Sequence, residues 1–193
     1  MVAERQRFGA AVGEFTDELN TLLNATITQQ RLIFTVLPGE GVSTGVISFR
    51  RHGSPIPAPL PTRFGMMGLY LGQFCRVRSS EQSSGPILFT LKYKYSLHKD
   101  PEPESDAIIR WEYDRRPTDP NARWCRRHIQ GPLELLLGGQ SVSMNSLHFP
   151  SGYVALEDII RFCIHDLGVK PLNSDWDSIL IDSYKAFRAK FGQ

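Results

Sequence analysis

Two runs near the middle of the chain alternate between apolar and polar positions. Across residues 87–97, Ile87, Phe89, Leu91, Tyr93, Tyr95 and Leu97 fall on one side, and Leu88, Thr90, Lys92, Lys94 and Ser96 on the other. Across residues 107–114, Ile109, Trp111 and Tyr113 oppose Arg110, Glu112 and Asp114. Strand side chains change face at every residue, so each run predicts a strand with a core surface backed by a charged wall. The intervening residues 99–106 hold two prolines and four acids, the makings of an exposed loop. The two strands are therefore expected to pair as an antiparallel hairpin, with Tyr93, Tyr95, Trp111 and Tyr113 facing helices.

Helical spacing dominates both ends. Phe8, Ala11, Val12, Phe15, Leu19, Leu22 and Leu23 predict an N-terminal amphipathic helix, weakened by Gly9 and Gly13. Leu156, Ile159, Ile160, Cys163, Ile164 and Leu167 predict a second helix stopped by Gly168. Trp176, Ile179, Leu180, Tyr184, Phe187 and Phe191 predict a third, with Ser174 as its cap. Further strands are expected over 31–37, 46–51, 68–78 and 122–129, with polar turns at 38–41 and 79–85 and a brief apolar stretch over 133–137. Pro55, Pro57, Pro59 and Pro61 recur at every second residue and predict an extended connector over 53–62. The fold class is α+β: an antiparallel sheet with an N-terminal helix and two C-terminal helices packed on its apolar face. The reading is one domain over 1–193, with an N-terminal subregion 1–52, the connector 53–62 and a main sheet-helix unit 63–193.

Composition adds boundaries. The 193 residues are 41% hydrophobic and 10% aromatic, which excludes a wholly disordered chain. A net charge of +2 is too mild for indiscriminate coating of nucleic acid but leaves room for a local basic patch. Cys75, Cys125 and Cys163 are scattered and odd in number, which points to buried small hydrophobes in a reducing cytoplasm. No apolar run approaches membrane-spanning length and the N-terminus lacks a secretory pattern.

The candidate chemistry follows the second alternating strand. Six arginines lie between positions 110 and 128, namely Arg110, Arg115, Arg116, Arg123, Arg126 and Arg127, interleaved with Trp111, Tyr113 and Trp124. Guanidinium groups fork onto phosphates, so the segment suits RNA or another phosphate-bearing partner. The plainer reading is a solvated sheet face laced with cross-strand Arg–Glu and Arg–Asp pairs. His128 and His148 would supply a base and an acid for metal-independent phosphodiester cleavage. No phosphate loop, dinucleotide fingerprint, nucleophile elbow or HExxH spacing occurs, and no cofactor or resident metal is expected.

Tyr93-Lys94-Tyr95, the run from Ile108 to Asp114, His128, Leu147-His148-Phe149-Pro150 and Trp176 stand in an order that resembles the TumE-type toxins of bacterial toxin–antitoxin pairs and their uncharacterised relatives. The resemblance spans residues 68–187. The family has a histidine-dense segment where this chain has Arg123, Trp124, Arg126 and Arg127 around His128. It implies a toxin-like or defence-linked role without naming a reaction. The leading expectation is thus a cytoplasmic bacterial protein that binds or acts on RNA through its basic sheet surface, with ribonuclease-like activity if it is an enzyme. The alternative is a non-catalytic interaction subunit whose partner is a protein such as a cognate antitoxin. A third is a small-ligand pocket between sheet and helices.

Overall fold

The computed structural model describes residues 2–37, 44–79, 86–117, 125–144, 147 and 149–191. The chain opens with α1 (Val2–Thr26) and continues through β1 (Leu32–Leu37), β2 (Thr44–Arg51), β3 (Ser54–Pro55), β4 (Ala58–Thr62), β5 (Gly65–Ser79) and β6 (Pro86–His98). After β7 (Ala107–Asp114), β8 (Arg127–Gln130), β9 (Glu134–Leu137), β10 (Gln140–Ser143) and β11 (Phe149–Pro150) come α2 (Leu156–His165) and α3 (Trp176–Phe191). The protein is α+β. Its large sheet is antiparallel throughout, in the order β1-β2-β5-β6-β7-β8-β11, with β3 beside β2 and β4 beside β5. The strands of the first 52 residues belong to this same sheet, because β2 pairs with β5. β9 and β10 form a separate hairpin.

The expected central hairpin is present. Tyr93 stands opposite Tyr113 and Tyr95 opposite Trp111. Tyr93, Tyr95 and Trp111 are buried in the core, and Tyr113 packs against it. The Tyr93 and Tyr95 rings stack at 4.6 Å, and Trp111 meets Phe162 of α2 edge-on at 5.8 Å. α1 buries Phe8, Val12, Phe15, Leu22 and Leu23 against the same face. It is fixed to the sheet by Asn20, whose side chain donates to the Leu32 carbonyl and accepts from the Leu32 N–H, at 3.1 and 2.7 Å. A buried amide that satisfies both backbone groups of an edge residue replaces the water those groups would otherwise need.

Gly168 ends the second helix as its sequence position predicts. It adopts φ +69° while the Val169 N–H reaches back to the Cys163 carbonyl at 3.0 Å. Ser174 does not cap α3: among the described residues no backbone N–H donates to its hydroxyl, which itself donates to the Asp175 carboxylate. The Ile179 N–H instead takes the Asp175 carbonyl at 3.0 Å.

Two further sequence expectations change. The proline-rich stretch is not a bare connector: β3 and β4 both lie within it and pair with β2 and β5. Ala58 and Leu60 of β4 are fully buried while Pro59 and Pro61 are exposed. Successive residues of a strand turn their N–H groups to opposite edges. Prolines at every second position therefore strip donors from the free edge and leave the paired edge intact. The second change is in β6. A bulge between Phe74 and Cys75 of β5 leaves Leu91 without an opposite residue, since Phe74 pairs with Lys92 and Cys75 with Thr90. Beyond that extra residue the faces exchange. Thr90 turns inward to accept a hydrogen bond from Gln73, and Phe89 turns to the polar face rather than to the core.

Candidate functional site

The helices of the described residues all pack on one side of the sheet. The other side, the outer face, is where the polar parity of β5 to β8 projects. Registered across it are Tyr70, Gly72, Phe74 and Arg76 of β5, then Ser96, Lys94 and Lys92 of β6. Arg110, Glu112 and Asp114 of β7 follow, then Gln130 and His128 of β8. Arg126 joins them by alternation, its carbonyl accepting the Asp114 N–H. Cations therefore outnumber the carboxylates Glu112 and Asp114 on these strands.

Those two carboxylates hold only part of the positive charge. Lys92 approaches Asp114 at 3.4 Å, and Arg110 approaches Glu112 at 3.9 Å while donating to Gln130 at 3.2 Å. His128 Nε2 lies 3.6 Å from Glu112, an ion-pair rather than a hydrogen-bond distance, and Nδ1 lies 3.3 Å from the Cys125 carbonyl. The His128 imidazole, helped by Lys94 and Arg110 and opposed by burial, holds the Glu112 carboxyl below its ordinary range. Lys94 lies over the Tyr70 ring at 6.0 Å and Arg115 over Phe89 at 5.4 Å.

The bulge shapes a cavity of about 400 Å³ at the end of this face. Phe74, Arg76, Phe89, Leu91, Lys92, Asp114, Arg115 and Arg116 line it. The Leu91 carbonyl accepts the Arg115 N–H at 2.9 Å, and Asp114 accepts the Arg116 N–H at 2.9 Å. The turn after β7 is thus tied to the bulge, which brings Arg115 and Arg116 beside Arg76.

The sequence-predicted residues divide. Arg110, Arg115, Arg116, Arg126 and His128 gather on the outer face. Arg127 does not: it pairs opposite Tyr113 on the helix side, where its guanidinium lies over the rings of Tyr113 and Tyr153 at 5.1 and 5.8 Å. Arg123 and His148 lie outside the described residues. Sequence reasoning missed Tyr70, Phe74, Arg76 and Phe89. The alternation of Tyr70, Gly72, Phe74 and Arg76 was a signal for the first three, whereas the turn of Phe89 depends on the bulge.

A second feature lies on the helix side. A trough of about 1070 Å³ runs between α1 and α3 over the tyrosine floor. Tyr93, Tyr95 and Tyr113 form that floor, and Phe15, Leu19, Leu22, Ile179 and Phe187 form the walls. Among the described residues the lining carries Glu14, Asp17, Glu18 and Glu157 against the single guanidinium of Arg127. Glu157 is buried and accepts from the Ser183 hydroxyl at 2.7 Å. Tyr95 donates to Gln73 at 3.3 Å, and burial pushes its phenol well above the usual range.

All three cysteines are buried free thiols, and burial pushes Cys75 and Cys163 up to about 12. Among the described residues no group of three or more His, Cys, Asp or Glu could hold a metal ion. No helix among them is long and apolar enough to cross a membrane. No family model, no curated protein and no solved structure matches this chain.

Proposed function

We propose that the protein binds single-stranded RNA on the outer face of its sheet. The observation that carries this reading is the coincidence of cations in excess with aromatic rings on a sheet face that no described helix covers. Phosphates find Arg76, Lys92, Lys94, Arg115, Arg116 and Arg126, and unpaired bases find Tyr70, Phe74 and Phe89. Cationic tracks with interleaved rings bind single strands because every base offers a π-face, whereas a duplex hides its bases. Fluorescence anisotropy with a labelled single strand and the matching duplex tests it. The single strand is expected to bind at least about tenfold tighter, the yield of roughly one stacked base. Equal affinity, or none, rejects it. A role for the protein in toxin–antitoxin or defence systems rests on the sequence resemblance. Cleavage by His128 would appear as product in the same samples and disappear in His128→Ala.

The trough supports a second reading, an interaction subunit whose partner lays a basic-flanked amphipathic helix between α1 and α3. Residues 14 to 25 of α1 span about 16 Å of its length, three turns of a guest helix. Acids along α1 match lysines flanking an apolar stripe. Saturable binding of a leucine–lysine model helix, lost in Asp17→Lys and absent for the leucine–glutamate counterpart, would favour it.

A further inference from the structure

The cavity beside the bulge differs from the rest of the outer face, because it is concave and one of its lining residues, Arg76, carries an unsatisfied donor. Arg76 Nε is buried and has no hydrogen-bond partner among the described residues. A buried donor left unpaired carries a desolvation penalty, which an acceptor brought from outside would relieve. The same cavity gathers Lys92, Arg115 and Arg116 around it, with Asp114 the one opposing carboxylate among the described residues of the lining. That carboxylate is occupied by Lys92 and by the Arg116 N–H. The remaining positive charge suits a dianion better than the single charge of a bridging phosphodiester. The volume of about 400 Å³ lies in the range of pockets that enclose one small organic group. Phe74 and Phe89 supply an apolar wall on which a planar ring can lie.

We propose that this cavity receives the phosphorylated terminal nucleotide of an RNA strand. Arg76, Arg115 and Arg116 would hold the phosphate monoester, and the base would lie against Phe74 and Phe89. The proposal rests on the outer-face reading above and names the part of the strand that is anchored. It makes the face directional: one end of the strand is fixed in the cavity, and the remainder crosses β5, β6 and β7 toward Arg110.

The experiment compares short oligouridylates carrying a 5′-phosphate, a 3′-phosphate or hydroxyls at both ends, with uridine monophosphate as competitor. A phosphate on one end is expected to tighten binding about tenfold, the worth of one charge-assisted hydrogen bond, and the arm that gains identifies that end. Arg76→Gln is expected to weaken every strand and to erase that gain, so that phosphate-ended and hydroxyl-ended strands bind the variant within about twofold of each other. Arg115→Gln, at an exposed position, provides the same test should the first variant melt at a lower temperature. Binding of the hydroxyl-ended strand with no gain from either phosphate overturns the cavity assignment and leaves the outer-face reading standing. Failure of every strand, with uridine monophosphate still bound and lost in the Arg76 variant, overturns the outer-face reading and retains the cavity as a mononucleotide site. Failure of all ligands overturns both.

Discussion

The two faces of the central sheet are built from the same strands and do opposite things. On the helix side, Tyr93, Tyr95, Leu97 and Trp111 are buried beneath α1 and α2, and their chemistry is packing. On the outer side, their immediate neighbours Lys92 and Arg110 make loose ion pairs with Asp114 and Glu112 in partial contact with water, and Lys94 lies over the Tyr70 ring. Even the charge is segregated: carboxylates line the trough between the helices, and cations spread over the outer face. Alternation alone creates this contrast, since adjacent residues answer to different solvents. The lesson is energetic. Substitutions on the helix side should change stability, and substitutions on the outer side should change binding.

The largest effect is expected at Leu180, the fully buried anchor of α3. Leu180→Ala should cost about 2–5 kcal/mol in urea denaturation, as for other buried leucines. A cost below about 1 kcal/mol would mean that α3 is an accessory. Next comes the helical lining of the trough. Ser183→Ala removes the hydrogen bond to buried Glu157 and should cost about 1–3 kcal/mol. A neutral result would indicate that water replaces the hydroxyl, and so that the trough is wet. On the outer face, replacing Arg115, Arg116 and Arg126 together with alanine should leave stability within about 0.5 kcal/mol. A large loss there would erase the contrast between the faces.

The smallest effect is a pH dependence. The folded pKa of Glu112 is depressed, so its contribution is fully present above the ordinary glutamate value of about 4.3 and is lost as pH falls through the lower folded value. Glu112→Gln should therefore flatten the acid limb of the stability curve and change little of its slope above that range. An unchanged acid limb would mean that His128 and Glu112 do not interact in solution.

Much of this architecture was legible in the sequence. Period-two runs identified the central hairpin and its buried rings, and helical spacing identified the three helices, because both are direct consequences of burying one face. Three features were not legible for physical reasons. The bulge at Leu91 follows from pairing between distant strands, and no local pattern announces that Phe89 and Thr90 exchange faces. The prolines of β4 looked incompatible with a sheet, yet their period matches the donor-free edge of an outer strand. Arg127 stood in one cluster with Arg126, but adjacent residues of a strand cannot share a face, and the two part company at the start of β8.

That last pair offers the most direct test of the central claim. The salt dependence of single-stranded RNA affinity should be measured for the wild type, for the triple variant at Arg115, Arg116 and Arg126, and for Arg127→Ala. Each phosphate neutralised contributes about −0.7 to the slope of log affinity against log salt. The triple variant should flatten the slope by about 2, while Arg127→Ala, whose side chain lies on the helix side, should leave it unchanged. Equal flattening in both variants, or no measurable affinity at low salt, would contradict the assignment of RNA binding to the outer face.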